Sequence, residues 1–190
     1  MPKISAPTVK EHRDQVRTRL IDAAENLLRD RGADGLTAGA VSSAAGIARN
    51  SIYRYVDSVD DLRGLVMARH LPAWMAAVQV SVDAAKDPRE RVVAWARANL
   101  EQAANSGHGY LMRITRGRPA DATRQAVDDA HSRMGMAIYT AVAEIHPAGA
   151  RVLGDVIYAM VDAGFRRLDA GDDADLVIAT VTDAVRAVVT

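Results

Sequence analysis

No cysteine occurs anywhere in the 190 residues. That excludes disulfides, a thiol nucleophile and any zinc site built on thiolates. Aromatics are scarce at 4%, with a single phenylalanine and two tryptophans. Net charge is missing as well, since 24 basic residues balance 24 acidic ones. Eleven basic and nine acidic residues fall within the first 70 positions, against thirteen and fifteen after them. The difference is small, so attraction to a polyanion has to come from local placement rather than bulk charge. No run of about 18 apolar residues is present, and Met1-Pro2-Lys3 leads into no apolar signal segment. These absences lead us to expect a soluble, cytoplasmic chain of one to two domains, long enough to bury a substantial core.

The signatures of catalysis are thin too. His12, His70, His108, His131 and His146 stand apart, with none paired at helical spacing and none in a metal-ligand motif. Neither a glycine-rich phosphate loop nor a Gly-x-Ser-x-Gly elbow occurs. Asp128-Asp129 and Asp172-Asp173 read as solvated helix surface or caps. No metal, cofactor or catalytic residue is expected.

What is present is helical spacing almost throughout. Leu20, Ala23-Ala24, Leu27 and Leu28 form the apolar stripe of a first helix, about Glu11 to Asp30, closed by Gly32. Ser58-Val59-Asp60-Asp61 caps a helix that carries Leu62, Leu65, Val66 and Arg69 toward Pro72, where it should kink or restart. Asp87-Pro88-Arg89-Glu90 starts another, and a long helix from about Asp121 to Ile145 stops before Pro147. Two more follow, about Ala148 to Leu168 and Asp172 to Val188. The expected fold is all-α, with about nine helices and no strand.

The most informative stretch is Leu36 to Leu62. Thr37 can cap a short helix whose apolar face is Ala40, Val41 and Ala44. Gly46 supplies the positive φ of a sharp turn, and Ile47 plugs its angle. A second short helix, Arg49 to Val56, turns Ile52 and Val56 inward and exposes Arg49, Asn50, Ser51, Tyr53, Arg54 and Tyr55. Two arginines, hydrogen-bonding groups and no carboxylate suit an anionic polymer with hydrogen-bonding edges, which describes the major groove of DNA.

This stretch resembles the helix-turn-helix of the tetracycline-repressor (TetR) family of bacterial transcription regulators. The matching positions are Leu36-Thr37, Ala44-Ala45-Gly46-Ile47, Ile52-Tyr53-x-Tyr55 and Ser58-x-x-Asp61-Leu62, reaching back through Ala23-Ala24, Leu27-Leu28 and Gly32. Ala48, Asn50 and Val59 depart from it, standing where the family usually has Ser, Gly and a phosphate-binding Lys. The resemblance implies a DNA-binding domain over residues 1–57, then a connector helix and a ligand-binding and dimerisation bundle over 58–190. It implies a homodimeric regulator, expected to be a repressor, that places two recognition helices about 34–36 Å apart on a near-palindromic operator and releases it on binding a small-molecule effector.

Within that picture Arg49 and Asn50 are the expected base readers. Thr37, Ser51, Tyr53 and Tyr55 are the expected phosphate clamps, Arg54 suits either task, and Arg13 and Arg17 are further DNA contacts. Candidate effector contacts are Trp95, His108, Tyr110, Met112, Arg113, Met134, Ile138, Tyr139 and Phe165, each of which could equally be plain core. The apolar repeat on the last two helices suggests a dimer interface of Val152, Val156, Ile157, Met160, Phe165, Val177, Val181 and Val185, with Gly154, Ala159, Ala163 and Gly164 allowing close helix approach. Two alternatives stay open: a dimeric DNA-binding protein without an effector, and a small helical enzyme that keeps the helix-turn-helix as scaffold.

Overall fold

A computed structural model describes residues 9–106 and 121–190. Every regular element among them is helical. The α-helices are α1 (Val9–Arg31), α2 (Ala38–Ala44), α3 (Val59–Asp83), α4 (Pro88–Ser106), α5 (Asp121–Ile145), α6 (Ala150–Asp169) and α7 (Ala174–Val188). Short 3-10 turns span Ala33–Gly35, Arg49–Arg54 and Pro147–Gly149. Valine-rich stretches are helical as well, Val92-Val93 lying in α4 and Val185 and Val188 in α7. None of the described helices is long and apolar enough to cross a membrane.

The chain divides into two compact units, one built mainly of residues up to Arg69 and one mainly of residues from His70 onward. In the first, α1 buries Val16, Leu20, Ala23, Ala24, Leu27 and Leu28, one stripe at helical spacing. It ends where Gly32 takes φ +67 and its N–H returns to the Leu28 carbonyl at 3.0 Å. Leu62 and Val66 of α3 are fully buried in this unit. Arg69 ties α3 to α1 through Asp22 at 2.7 Å and Glu25 at 3.0 Å.

In the second unit α4, α6 and α7 pack against one another. Gly164 makes this possible: a Cβ there would come within 2.6 Å of Leu100 Cδ2 and 3.2 Å of Val181 Cγ2. Gly154 likewise lies under the Tyr139 ring, with a Cβ reaching to 2.4 Å. Of the small residues expected to allow close approach, these two glycines are buried, while Ala159 is exposed and Ala163 half-buried. Asn99, fully buried, accepts from the Trp74 indole N–H at 2.9 Å and donates to the Trp95 carbonyl at 2.8 Å. Both polar groups of its amide are thereby matched, which removes most of the cost of burying it.

The sequence allowed either a kink or a restart at Pro72. The helix does not restart at Pro72, because α3 runs as one α-helix from Val59 to Asp83 with the proline inside it. Proline removes only one N–H donor, and the bonds on either side hold the helix together.

Candidate DNA-binding face and effector cavity

Local chemistry builds the candidate recognition face. Thr37 adopts extended backbone angles, and its Oγ1 accepts the Ala40 N–H at 3.2 Å, starting α2. The hydroxyl hydrogen stays available to an outside acceptor. At the other end of α2, Gly46 takes φ +68; its N–H returns to Ser43 at 3.2 Å and that of Ile47 to Ser42 at 3.0 Å. That pair of crossed bonds is a Schellman ending, and it sets the turn between the two helical pieces.

The element that follows is a 3-10 helix of six residues, Arg49–Arg54, rather than an α-helix through Val56. Its bonds Ser51 N to Ala48 O (2.8 Å) and Tyr55 N to Ile52 O (2.9 Å) each skip three residues. In a 3-10 helix side chains three apart eclipse one another. Tyr55 therefore follows the row of Ile52, which is fully buried, and is itself half-buried. Asn50 and Tyr53 share the outward row, with Tyr53 58% exposed. Arg49 and Arg54 are exposed and Ser51 is half-buried, while Val56 closes the core from below at 6% exposure. The outer surface thus carries Arg49, Asn50, Tyr53 and Arg54 without a carboxylate among them. Arg13 and Arg17 are exposed one helical turn apart on α1.

The start of α3 is a reciprocal capping box. Ser58 N–H donates to Asp61 Oδ2 at 2.6 Å, and Asp61 N–H donates to Ser58 Oγ at 3.1 Å. Asp60 is paired with Arg63 at 3.2 Å. Val59, half-buried, is the first residue of the helix.

Residues 20–63, which carry this whole arrangement, match the family model described as bacterial regulatory proteins, tetR family. This segment carries the similarity to the TetR family. Over 103 residues it is 32% identical to the HTH-type transcriptional regulator BetI of Burkholderia ambifaria, covering 53% of this chain and 50% of that protein. The chain thus spans about half the length of the curated relatives it matches, and those relatives are named as regulators rather than enzymes. Solved structures of regulators, the first of them described as a TetR-family one, share the fold. SCO4454 from Streptomyces coelicolor superposes with a TM-score of 0.74 at 18% identity, covering 92% of this chain and 88% of that one. The fatty acid degradation regulator FadR from Bacillus halodurans gives 0.70 at 15% identity, over 90% and 94%. The FadR of Bacillus subtilis, solved with stearoyl-CoA, gives 0.68 at 14% identity, over 90% and 96%.

In the second unit, three helices line an open cavity of about 250 Å³. Its walls are Gln79, Val82 and Asp83 of α3, Arg91 and Trp95 of α4, and Ile138, Thr140 and Ala141 of α5. Two of the expected effector contacts, Trp95 and Ile138, are brought together here. Tyr139 points elsewhere and donates its hydroxyl to Asp155 at 2.5 Å, a bond that raises the phenol above its ordinary pKa, with burial adding to it. Phe165 packs edge-on against Trp74, with ring centroids 6.3 Å apart. His108, Tyr110, Met112 and Arg113 lie outside the described residues, as does the Met134 side chain. Gln79, Val82, Asp83, Arg91, Thr140 and Ala141 were not singled out from the sequence. Their only local signal is the spacing of Gln79 and Asp83, and of Arg91 and Trp95, at i and i+4. Among the described residues no cluster of histidine and carboxylate side chains could hold a metal.

The expected dimer-interface residues separate into two groups. Val152 is 70% exposed, Val156 42%, and Met160, Phe165 and Val181 are half-buried. Ile157, Val177 and Val185 are instead buried within the protomer. A helix inserted between two neighbours can offer only its outer rows to a partner.

Proposed function

We propose that this chain is a ligand-responsive transcription regulator that binds a near-palindromic operator as a homodimer and acts as a repressor. The observation that carries the reading is the outward row of the Arg49–Arg54 turn, a carboxylate-free surface mounted on buried Ile52 and Val56. Arg49 and Asn50 read base edges, Tyr53 and the Thr37 hydroxyl hold phosphates, and Arg54, Arg13 and Arg17 add cationic contacts along the backbone. Tyr55 and Ser51, half-buried, approach the backbone from beneath. The first unit supplies the DNA-binding domain, and α3 continues as the connector into the bundle.

The dimer forms through the outer faces of α6 and α7. Val152 and Val156 on α6, with Leu176 (66% exposed) and Val188 on α7, leave apolar surface facing water. An isologous four-helix contact about a two-fold axis would cover it. The effector occupies the second unit, and its differential affinity for two conformations shifts the population bound to DNA.

Selection of bound sequences from fragmented source genome, followed by footprinting, tests this directly. Two protected half-sites about one helical turn apart are expected. Recovery of no sequence above background at low salt would overturn the reading.

A further inference from the structure

The cavity between α3, α4 and α5 has a polarity that narrows its occupant. Its floor is apolar and well covered: Trp95 is 2% exposed, Ile138 1% and Ala141 4%. Two charged side chains reach it, Asp83 and Arg91. Arg91 is already neutralised, since both of its terminal nitrogens donate to the two oxygens of Glu144, at 3.3 and 2.8 Å. Asp83 has no cationic partner among the described residues, where it accepts only the Gln79 amide N–H, on Oδ1 at 2.7 Å. An apolar floor with one uncompensated carboxylate at its rim favours a ligand with a positive charge at one end.

We propose that this cavity binds a small organic cation, an amine or ammonium group carrying a compact apolar body, with the charge at Asp83 and the body against Trp95 and Ile138. The inference rests on the regulator reading above and names the chemistry of its effector. At about 250 Å³ the site lies at the small end of ligand pockets, so the body is of single-ring size rather than a long chain. Gln79 acts as a positioning residue. By donating to Oδ1 it holds the carboxylate and leaves Oδ2 for the ligand. Because Asp83 is exposed, solvent screens the charge pair and its contribution is modest.

Three nearly isosteric probes separate the possibilities: 2-phenylethylamine hydrochloride, 2-phenylethanol and phenylacetate, titrated calorimetrically into the full chain. The amine should bind up to about five-fold more tightly than the alcohol, with phenylacetate weakest. In Asp83→Asn the gap between amine and alcohol should close. Thr140→Trp, which overhangs the mouth from an exposed position, should weaken the amine and the alcohol alike. Equal affinity for amine and alcohol, or tightest binding of phenylacetate, would overturn the ligand class. Absence of binding by any probe would overturn the cavity as a site for a body of this size. Genomic DNA selection on the same preparation reads the regulator function separately, so retained DNA binding alongside a negative titration rejects only the present proposal.

Discussion

The two units of this chain are stitched together in different ways. In the first, the features that shape the recognition face act over a few residues: Thr37 on Ala40, the crossed bonds around Gly46, and Ser58 with Asp61. In the second, the ties that matter join residues far apart in sequence. Trp74 meets Asn99, Arg91 meets Glu144, Tyr139 meets Asp155, and Gly164 lies against Leu100. Their outer faces differ too, polar and carboxylate-free on the Arg49–Arg54 turn, and on α6 and α7 including the exposed apolar Val152, Val156, Leu176 and Val188. Short-range devices fix a local shape that tolerates changes elsewhere. Long-range ones let a bundle adjust its cavities and its outer face, but make each buried contact answer for several helices.

The largest effect should come from charging the apolar outer face. The Val156→Arg, Met160→Arg double variant should be monomeric by light scattering and should lose operator retention. A persistent dimer would remove α6 from the interface. Next in size is the core of the second unit. Leu100→Ala, at a side chain with no exposure, should cost about 2–5 kcal/mol in urea unfolding of the full chain. A loss under 1 kcal/mol would show that Leu100 is not tightly packed against Gly164.

On the recognition face, Asn50→Ala should cost about 1–3 kcal/mol at one base pair of each half-site while leaving other positions unchanged. A uniform loss across all sequences would identify Asn50 as a backbone contact. The short-range devices are tested by Gly46→Ala. A left-handed φ costs an alanine about 1–2 kcal/mol, and operator affinity should fall with stability because the turn aims Arg49 and Asn50. Unaltered stability would mean the turn relaxes freely.

The smallest effect concerns Val59. Val59→Lys should add about one phosphate contact per protomer, so the dimer's log K against log salt slope should steepen by nearly 2, at roughly 0.9 per phosphate. The helix should lose about 0.3–1 kcal/mol, because a cation opposes the dipole at its N-terminus. An unchanged slope would place the start of α3 away from the DNA backbone.

Much of the first unit was legible because its determinants are local. A threonine before an apolar run, a glycine at a helix end and a serine three residues before an aspartate each act on neighbours within one turn. The cavity between α3, α4 and α5 was not legible in the same way. Trp95 and Ile138 drew notice by residue type, but Asp83 and Gln79 look like ordinary solvated helix surface until α4 and α5 are beside them. Tyr139 and Phe165 drew notice for the same reason; Tyr139 lies over Gly154 and bonds Asp155, and Phe165 packs against Trp74.

The sequence by itself determined the helical class, the caps, the turn at Gly46 and the inward direction of Ile52 and Val56, since periodicity and backbone sterics need no distant partner. Tertiary structure decided the rest. It tightened Arg49–Arg54 into a 3-10 turn, which moved Tyr55 toward the core and left Tyr53 outward. It kept α3 continuous through Pro72. It also chose which rows of α6 and α7 were spent inside the protomer, burying Ile157, Val177 and Val185 and leaving Val152, Val156 and Leu176 in water. An amphipathic repeat states that a face is apolar; only the helices packed around it settle how much of that face is already covered.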